Sequence, residues 1–318
     1  MKKLLALIFR SGAACLGLRV LALLWMMVAP EAVIAEQSTK GKTLRCGYSK
    51  NVLTANEIAD AKLAMTIWSN DMARDMDITS EFFDTPAEML TQVKAGKLDM
   101  VILTGLDYLR EPAARLLEPA IMGVQSQQSV MPELLLIVNK SASVKALKQL
   151  GKSKILLYGG VGGEKVTSLW LDTLLLQEGL PVGVEFCGLN KVDNVAKAVL
   201  PVFFRKAAAA VVPRHAYENM VELNPQLGKD LLVLKTSPPL LIMGSFFRRD
   251  YDEAGKKNVL EVARTKRGTP TGRQMLTLFK VIDLTVLSDR DADSLRALVK
   301  EHELLSSKRK NTGYPDKP

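Results

Sequence analysis

Ala95-Gly96-Lys97-Leu98-Asp99-Met100-Val101-Ile102-Leu103-Thr104-Gly105-Leu106-Asp107-Tyr108-Leu109 is the stretch that decides the fold. Lys94-Ala95-Gly96 closes a helix, since glycine takes the left-handed conformation that ends helices without a Cβ penalty. Lys97 to Leu103 is short and apolar, as a buried strand is. Thr104 to Leu109 then turns straight into another helix. Helix, buried strand and helix in immediate succession make the repeating unit of an α/β fold with largely parallel sheets.

The same alternation extends both ways. Upstream, Thr43 to Tyr48 reads as a strand, Ser49 to Thr54 as a loop and Asn56 to Met76 as a helix with the apolar stripe Ile58, Ala61, Met65, Trp68 and Met72. Ile78 to Phe83 is a second strand. Asp84 or Thr85 caps the helix that follows, with Pro86 in its first turn and Glu88 complementing its dipole. Downstream, Glu118 to Val124 and Glu133 to Asn139 read as strands, and a second α/β unit starts near Ser141. It holds a strand at Lys154 to Tyr158, the loop Gly159-Gly160-Val161-Gly162-Gly163, a helix from Glu164 to Glu178, strand-like Val184 to Cys187, a helix from Val192 to Phe204, a strand from Ala207 to Val212 and a helix from Pro213 to Leu223. Ser237-Pro238-Pro239 makes a stiff crossing back to a strand at Leu240 to Phe246. Helices follow at Val259 to Thr265 and Asp289 to Leu305, and residues 306–318 are polar enough to be expected disordered.

The amino terminus has the form of an export signal. Lys2, Lys3 and Arg10 precede an apolar run from Leu16 to Val28, and Pro30 leads to Ala32-Val33-Ile34-Ala35, so residues 1–35 are expected to be cleaved after Ala35 and the protein to work in the periplasm. A retained anchor and a lipid-modified Cys15 are the alternatives; the run is shorter than the roughly 20 residues of a spanning helix. The cut removes four basic residues and one acidic, which lowers the formal charge from +9 to +6. The remaining excess sits at Lys256, Lys257, Arg264, Lys266, Arg267 and Lys308-Arg309-Lys310. That pattern reads as a solvated face, and without interleaved aromatics on an exported chain it excludes nucleic acid as a partner. Only Cys46 and Cys187 follow the signal, too few for a disulfide framework; free thiols are expected, although spacing cannot exclude a pair. The roughly 280 remaining residues favour two domains.

In open α/β sheets ligands bind beyond the carboxyl ends of the strands. That rule selects Tyr48, Asp84, Thr104, Gly105, Asp107, Tyr108, the loop residues Gly160, Val161, Gly162 and Gly163, then Arg214 and Tyr217. The glycine loop before a helix is either an anion nest of backbone N–H groups or a plain tight turn; it lacks the Gly-Lys-Ser/Thr ending of a P-loop. Each tyrosine is a ligand donor or a core residue. Asp107 is a helix cap or an acceptor for a ligand amine, and Arg214 an oxyanion fork or one half of a surface ion pair. After the signal only His215 and His302 represent histidine, and no Gly-x-Ser-x-Gly, Cys-x-x-Cys or His-Glu-x-x-His occurs. No metal site, cofactor or enzymatic activity is therefore expected.

Leu44-Arg45-Cys46-Gly47-Tyr48-Ser49, Phe82-Phe83-Asp84-Thr85-Pro86-Ala87-Glu88-Met89-Leu90, Ala95 to Leu103 and Ala198-Val199-Leu200-Pro201-Val202-Phe203-Phe204 together resemble the phosphate/phosphonate-type extracytoplasmic solute-binding proteins of ABC transporters. The resemblance covers nearly the whole chain after Ala35. It implies a type II periplasmic binding protein fold, two α/β lobes joined by two hinge strands, closing over a small anionic ligand that a membrane ABC permease receives. Lobe 1 then comprises 36–138 and 240–305 and lobe 2 comprises 139–239, with hinges near Leu136 to Lys140 and Pro238 to Gly244. The family grips an oxyanion with a Ser/Thr-rich turn in the second lobe and a first-lobe tyrosine, to which Tyr48 corresponds. Here Gly159 to Gly163 has no hydroxyl, and Val212-Pro213-Arg214 stands where aminophosphonate binders carry an acid. The expected ligand is thus an anion without an amine, held by backbone amides and Arg214. A monomer is expected, and a periplasmic sensor that partners a membrane kinase is the alternative function.

Overall fold

The computed structural model describes residues 43–52, 77–127, 129–278 and 281–311. The expected export signal at 1–35, the helix expected over 56–76 and the tail beyond 311 lie outside the described residues.

The chain begins with β1 (Leu44–Ser49), β2 (Ile78–Phe83), α1 (Pro86–Lys94), β3 (Met100–Thr104), α2 (Gly105–Arg110) and β4 (Leu117–Val124). β1 pairs in parallel with β2 on one side and β3 on the other. The start of α1 is set by Thr85, whose Oγ1 accepts from the Glu88 N–H at 3.2 Å, so Thr85 rather than Asp84 is the cap. Gly96, at φ +67°, turns the chain out of α1 and into β3.

Residues 125–133 carry the chain to a second sheet. It and its helices comprise β5 (Leu134–Asn139), β6 (Lys154–Leu157), α3 (Glu164–Gln177), α4 (Gly183–Phe186), β7 (Gly188–Lys191), α5 (Val195–Phe203), β8 (Ala209–Pro213), α6 (Arg214–Leu223), α7 (Pro225–Asp230) and β9 (Leu231–Thr236). The strand order is β7-β6-β8-β5-β9, with β6 parallel to β7 and β8, and β5 antiparallel to β8 and β9. The segment expected as a strand at Val184 to Cys187 is the short helix α4. Its first N–H, on Gly183, donates to Asp172 at 2.7 Å, and the strand forms only afterwards.

Residues 237–242 return the chain to the first sheet, which gains β10 (Met243–Arg248), α8 (Glu253–Lys266), α9 (Pro270–Leu278) and β11 (Asp283–Val286) before the final helix α10 (Asp293–Asn311). The first sheet reads β11-β4-β10-β3-β1-β2, with β10 antiparallel to both β3 and β4. Each sheet is thus parallel in one half and antiparallel in the other, where the expectation was largely parallel pairing. The strands that enter or leave a crossing run against their neighbours. The fold is two α/β lobes joined by two crossings.

The first crossing differs from the expected hinge, and the second nearly coincides with the one expected at Pro238 to Gly244. β5 belongs wholly to the second sheet, with Leu134 opposite Pro213, so the first crossing precedes it instead of lying at Leu136 to Lys140. Met243 already pairs with Thr104, so the second crossing ends at Ile242. The crossings are clipped together: Leu134 N–H donates to Ser237 Oγ at 2.8 Å, Ser237 N–H to the Leu134 carbonyl at 2.9 Å, and Leu240 N–H to the Pro132 carbonyl at 2.9 Å. The last helix also passes the expected end at Leu305 and continues to Asn311, lying along α3 of the second lobe.

One hydrophobic core runs through both lobes, from Met89, Val101, Leu103 and Phe246 to Leu134, Leu136, Ile155, Trp170 and Val211. Smaller clusters cover the opposite face of each sheet. Cys46 and Cys187 are buried free thiols, and burial pushes them up to about 12 and about 11, so both stay protonated at neutral pH.

Candidate functional site

The carboxyl ends of the parallel strands of both sheets meet between the lobes. On the first lobe the turn after β3 is organised by Thr104, whose Oγ1 accepts from the Asp107 N–H at 3.1 Å and donates to Asp107 Oδ2 at 2.8 Å. Asn51, just beyond β1, donates through Nδ2 to the same carboxylate oxygen at 3.1 Å. Thr104 and Asp107 are buried and Asn51 half-buried, so the three form a small polar unit at the cleft wall. Gly105 serves packing: its N–H donates to the Ile242 carbonyl at 2.8 Å, and a Cβ there would lie 2.0 Å from the Leu241 carbonyl oxygen. Only glycine lets the second crossing pass so close to α2.

On the second lobe, β6 ends in the glycine loop. Gly160 and Gly162 have φ of +70° and +69°, and a Cβ on Gly163 would lie 2.0 Å from the Gly159 carbonyl oxygen, so the loop folds back on itself as only glycine allows. It delivers the chain into α3 with no side chain capping the first turn. Those N–H groups carry the positive end of the helix dipole. At Gly162 the loop meets the first lobe: the position of a Cβ there lies 3.7 Å from both Val52 and Thr104. Lys165, in the first turn of α3, reaches across to Asp107 at 3.9 Å.

The other expected site residues lie elsewhere. Tyr48 is buried on the far face of β1, stacked on Phe82 at 5.3 Å and hydrogen-bonded with Ser80; burial drives its phenol far above the usual range. Tyr108 stacks on Phe246 at 4.1 Å, and its hydroxyl donates to Asp289 at 3.1 Å; burial and Asp289 raise its phenol to about 12. Tyr217 lies in the second lobe's outer cluster with Leu135, Val199 and Val212. Packing fills the surroundings of Tyr108 and Tyr217, whereas Tyr48 also lines a cavity. Asp84 is paired with Lys50. Arg214 donates through Nε to Glu133 at 2.5 Å and through Nη1 to Glu218 at 3.5 Å, and these carboxylates hold its pKa above the usual guanidinium value. Its fork is engaged by protein acids.

Two cavities open beside the crossings. The larger, about 220 Å³, extends from Val52, Val161 and Met243 past Met131 and Pro132 to Tyr48 and Ile102 under the first sheet, and its described walls are mostly apolar. The smaller, about 20 Å³, shares Gln125, Met131 and Pro132 with it and adds Ser126, Ser129, Glu133, Arg214 and His215. His215 is half-buried, and burial lowers its pKa, so it is neutral at neutral pH. Among the described residues no group of three His, Cys, Asp or Glu side chains could hold a metal ion.

This architecture has known counterparts. Residues 61–292 match the family model described as ABC transporter, phosphonate, periplasmic substrate-binding protein. The chain belongs to that family. Solved structures similar to the binding protein include a binding protein component of an ABC phosphonate transporter from Pseudomonas aeruginosa, at 12% identity and TM-score 0.56 over 83% of this chain and 87% of that one. PhnD1 from Prochlorococcus marinus in complex with methylphosphonate is 13% identical, with TM-score 0.54 over 82% and 98% of the two chains. A Xanthomonas citri protein bound to ATP is 14% identical, with TM-score 0.56 over 84% and 99%. No curated protein matches the sequence. At these identities the structures show a shared fold, that of type II periplasmic binding proteins.

The binding protein therefore brings Thr104, Gly105, Asp107 and the glycine loop together, but not Tyr108, Tyr217 or Asp84. Sequence reasoning did not single out Asn51, Lys165, Glu133 or Gln125. The strand-end rule, applied one or two residues further, reaches Asn51 and Lys165. Nothing local marks Glu133, which is recruited by the crossing.

Proposed function

We propose that the binding protein captures a small phosphate- or phosphonate-like anion between its lobes and delivers it to the permease of an ABC importer, acting by lobe closure and without catalysis. The observation that carries this reading is the glycine loop: left-handed at Gly160 and Gly162, it presents the uncapped first turn of α3 to the strand ends of the first lobe. Backbone N–H groups at such a helix start attract an oxyanion without any hydroxyl side chain. Lys165 adds positive charge at the same place. The family and the fold support transport, and the amino-terminal sequence supports release into the periplasm after Ala35, where the protein acts as a monomer.

A thermal-shift screen tests the reading, because a ligand that binds only the folded state raises the midpoint, by an amount equivalent to about 2.7 kcal/mol at a hundred times its dissociation constant. Phosphate, phosphite, methylphosphonate, methanesulfonate and acetate form the panel. A rise with phosphate or methylphosphonate is expected; no rise with any of the five would sink the anion reading.

A further inference from the structure

The last helix and the residues leading into it are held by both lobes. On the first lobe, the Leu287 side chain packs under Gly244, Asp289 accepts from the Tyr108 hydroxyl, and a Leu295 methyl lies 2.7 Å from where a Cβ on Gly105 would be. Further along, α10 runs beside α3 of the second lobe, with residue contacts from Glu301 onward. Leu295, Leu298 and Val299, all under 10% exposed, continue as the half-buried His302, Leu305 and Arg309, the i, i+3, i+4 stripe of a packed helix face. Polar contacts fasten the same length: Gln177 Nε2 donates to Glu301 at 2.7 Å, Arg309 pairs with Glu185, and His302 lies near Asp172.

A helix rises about 1.5 Å per residue, so the first-lobe seat at Leu295 and the second-lobe seat that begins at Glu301 are only about 9 Å apart along the axis. A rigid rod cannot keep both seats when the lobes rotate. We propose that α10 is a clasp: its two seats are satisfied together only while the lobes are apposed, so it holds the protein toward the closed arrangement, and opening must unseat either Leu295 or the stretch from Glu301 to Arg309. A protein held this way binds more tightly, because apparent affinity scales with the fraction of the competent state. The proposal rests on capture by lobe closure.

The test reads lobe separation without ligand. Spin labels on Glu88→Cys in the first lobe and Lys197→Cys in the second are both at exposed positions, and Cys46 and Cys187 are buried. Pulsed electron resonance then gives the distance distribution. Arg309→Ala and Leu295→Ala, which loosen opposite seats, are each expected to raise the long-distance population severalfold. Distributions identical to the unsubstituted chain in both variants would overturn the clasp. Should either variant fail to melt cooperatively, the other carries the test, and Glu301→Ala, on the exposed flank, is expected to shift the distribution the same way by less. Ligand binding is read separately from the midpoint shift with methylphosphonate. A chain that opens on unclasping but shows no such shift keeps the clasp and loses the ligand reading.

Discussion

The Lys165 ammonium stands 3.9 Å from the Asp107 carboxylate, and the two residues belong to different lobes. The pair is unequal. Lys165 is mostly exposed, so solvent screens it and its loss is expected to cost less than about 1 kcal/mol. Asp107 is nearly buried, and its removal strands the Asn51 amide and the Thr104 hydroxyl, at about 1–3 kcal/mol. Urea unfolding of Lys165→Ala and Asp107→Ala is therefore expected to show a clearly larger loss for Asp107. Equal losses would mean that the polar unit around Asp107 contributes nothing.

How far the sequence reveals this site follows from the range of each interaction. Thr85 and Thr104 act on N–H groups three residues on, so both helix starts were readable from spacing. The cap of the second is Thr104 and not Asp107, whose carboxylate instead accepts from the Thr104 hydroxyl. The glycine loop was readable as a turn only glycine can make. The tyrosines were not, since a ring beyond a strand end looks the same whether it meets a ligand or, as with Tyr108 and Phe246, a strand far away in sequence. The first crossing was misplaced for a related reason: β5 is buried at every position, and only its pairing with β8 and β9 shows which sheet owns it. β9, despite its apolar run Leu231 to Leu234, and the short β11 were not read as strands; both are edge strands with exposed positions.

Asp99 gives a pH-dependent prediction. Fully buried at the start of β3, its carboxylate accepts from the Arg45 backbone N–H at 3.1 Å, from Arg45 Nε and Nη2 at 2.8 and 2.7 Å, and from Arg248 at 3.2 Å. Burial works to raise its pKa, but the Arg45 and Arg248 donors outweigh it and hold the group below the usual carboxylate value. A depressed native pKa gives stability that is fully present above the unfolded value of about 3.9 and is lost as pH falls through the native one. Asp99→Ala is expected to cost about 3–5 kcal/mol at pH 7, because it leaves the partly buried Arg248 short of an acceptor. Urea midpoints at pH 7 and pH 3 are expected to differ less in the variant than in the parent; an unchanged difference would remove Asp99 from the acid response.

The glycine loop separates strain from function. Gly162→Ala places a side chain at φ +69°, a left-handed conformation costing about 1–2 kcal/mol, without a steric clash. Gly179, at φ +71° with nothing near its Cβ position, lies at the end of α3 far from the loop and is the matched control. Both variants are expected to lose similar stability, whereas Gly163→Ala, whose methyl would lie 2.0 Å from the Gly159 carbonyl oxygen, is expected to lose more. The midpoint shift with methylphosphonate is expected to survive Gly179→Ala and to vanish in Gly163→Ala. Survival in all three would place the anion elsewhere.

Arg214 poses the choice between gripping a ligand and holding a crossing. Its backbone N–H donates to the Glu133 carbonyl at 2.8 Å and its Nε to the Glu133 carboxylate at 2.5 Å, so one residue at the start of α6 binds both parts of one residue in the first crossing. Both side chains are about a quarter to a third exposed, and the charge pair is expected to couple by only about 0.2–1 kcal/mol in a double-mutant cycle with Glu133→Ala. The binding assay discriminates more sharply. A guanidinium already satisfied by Glu133 and Glu218 has little left for an anion, so Arg214→Ala is expected to leave the methylphosphonate shift nearly intact. Glu133→Ala frees the fork beside the small cavity and is expected to strengthen that shift. Loss of the shift in Arg214→Ala would instead show that Glu133 yields to the ligand, and would make the arginine, rather than the glycine loop, the principal anion donor.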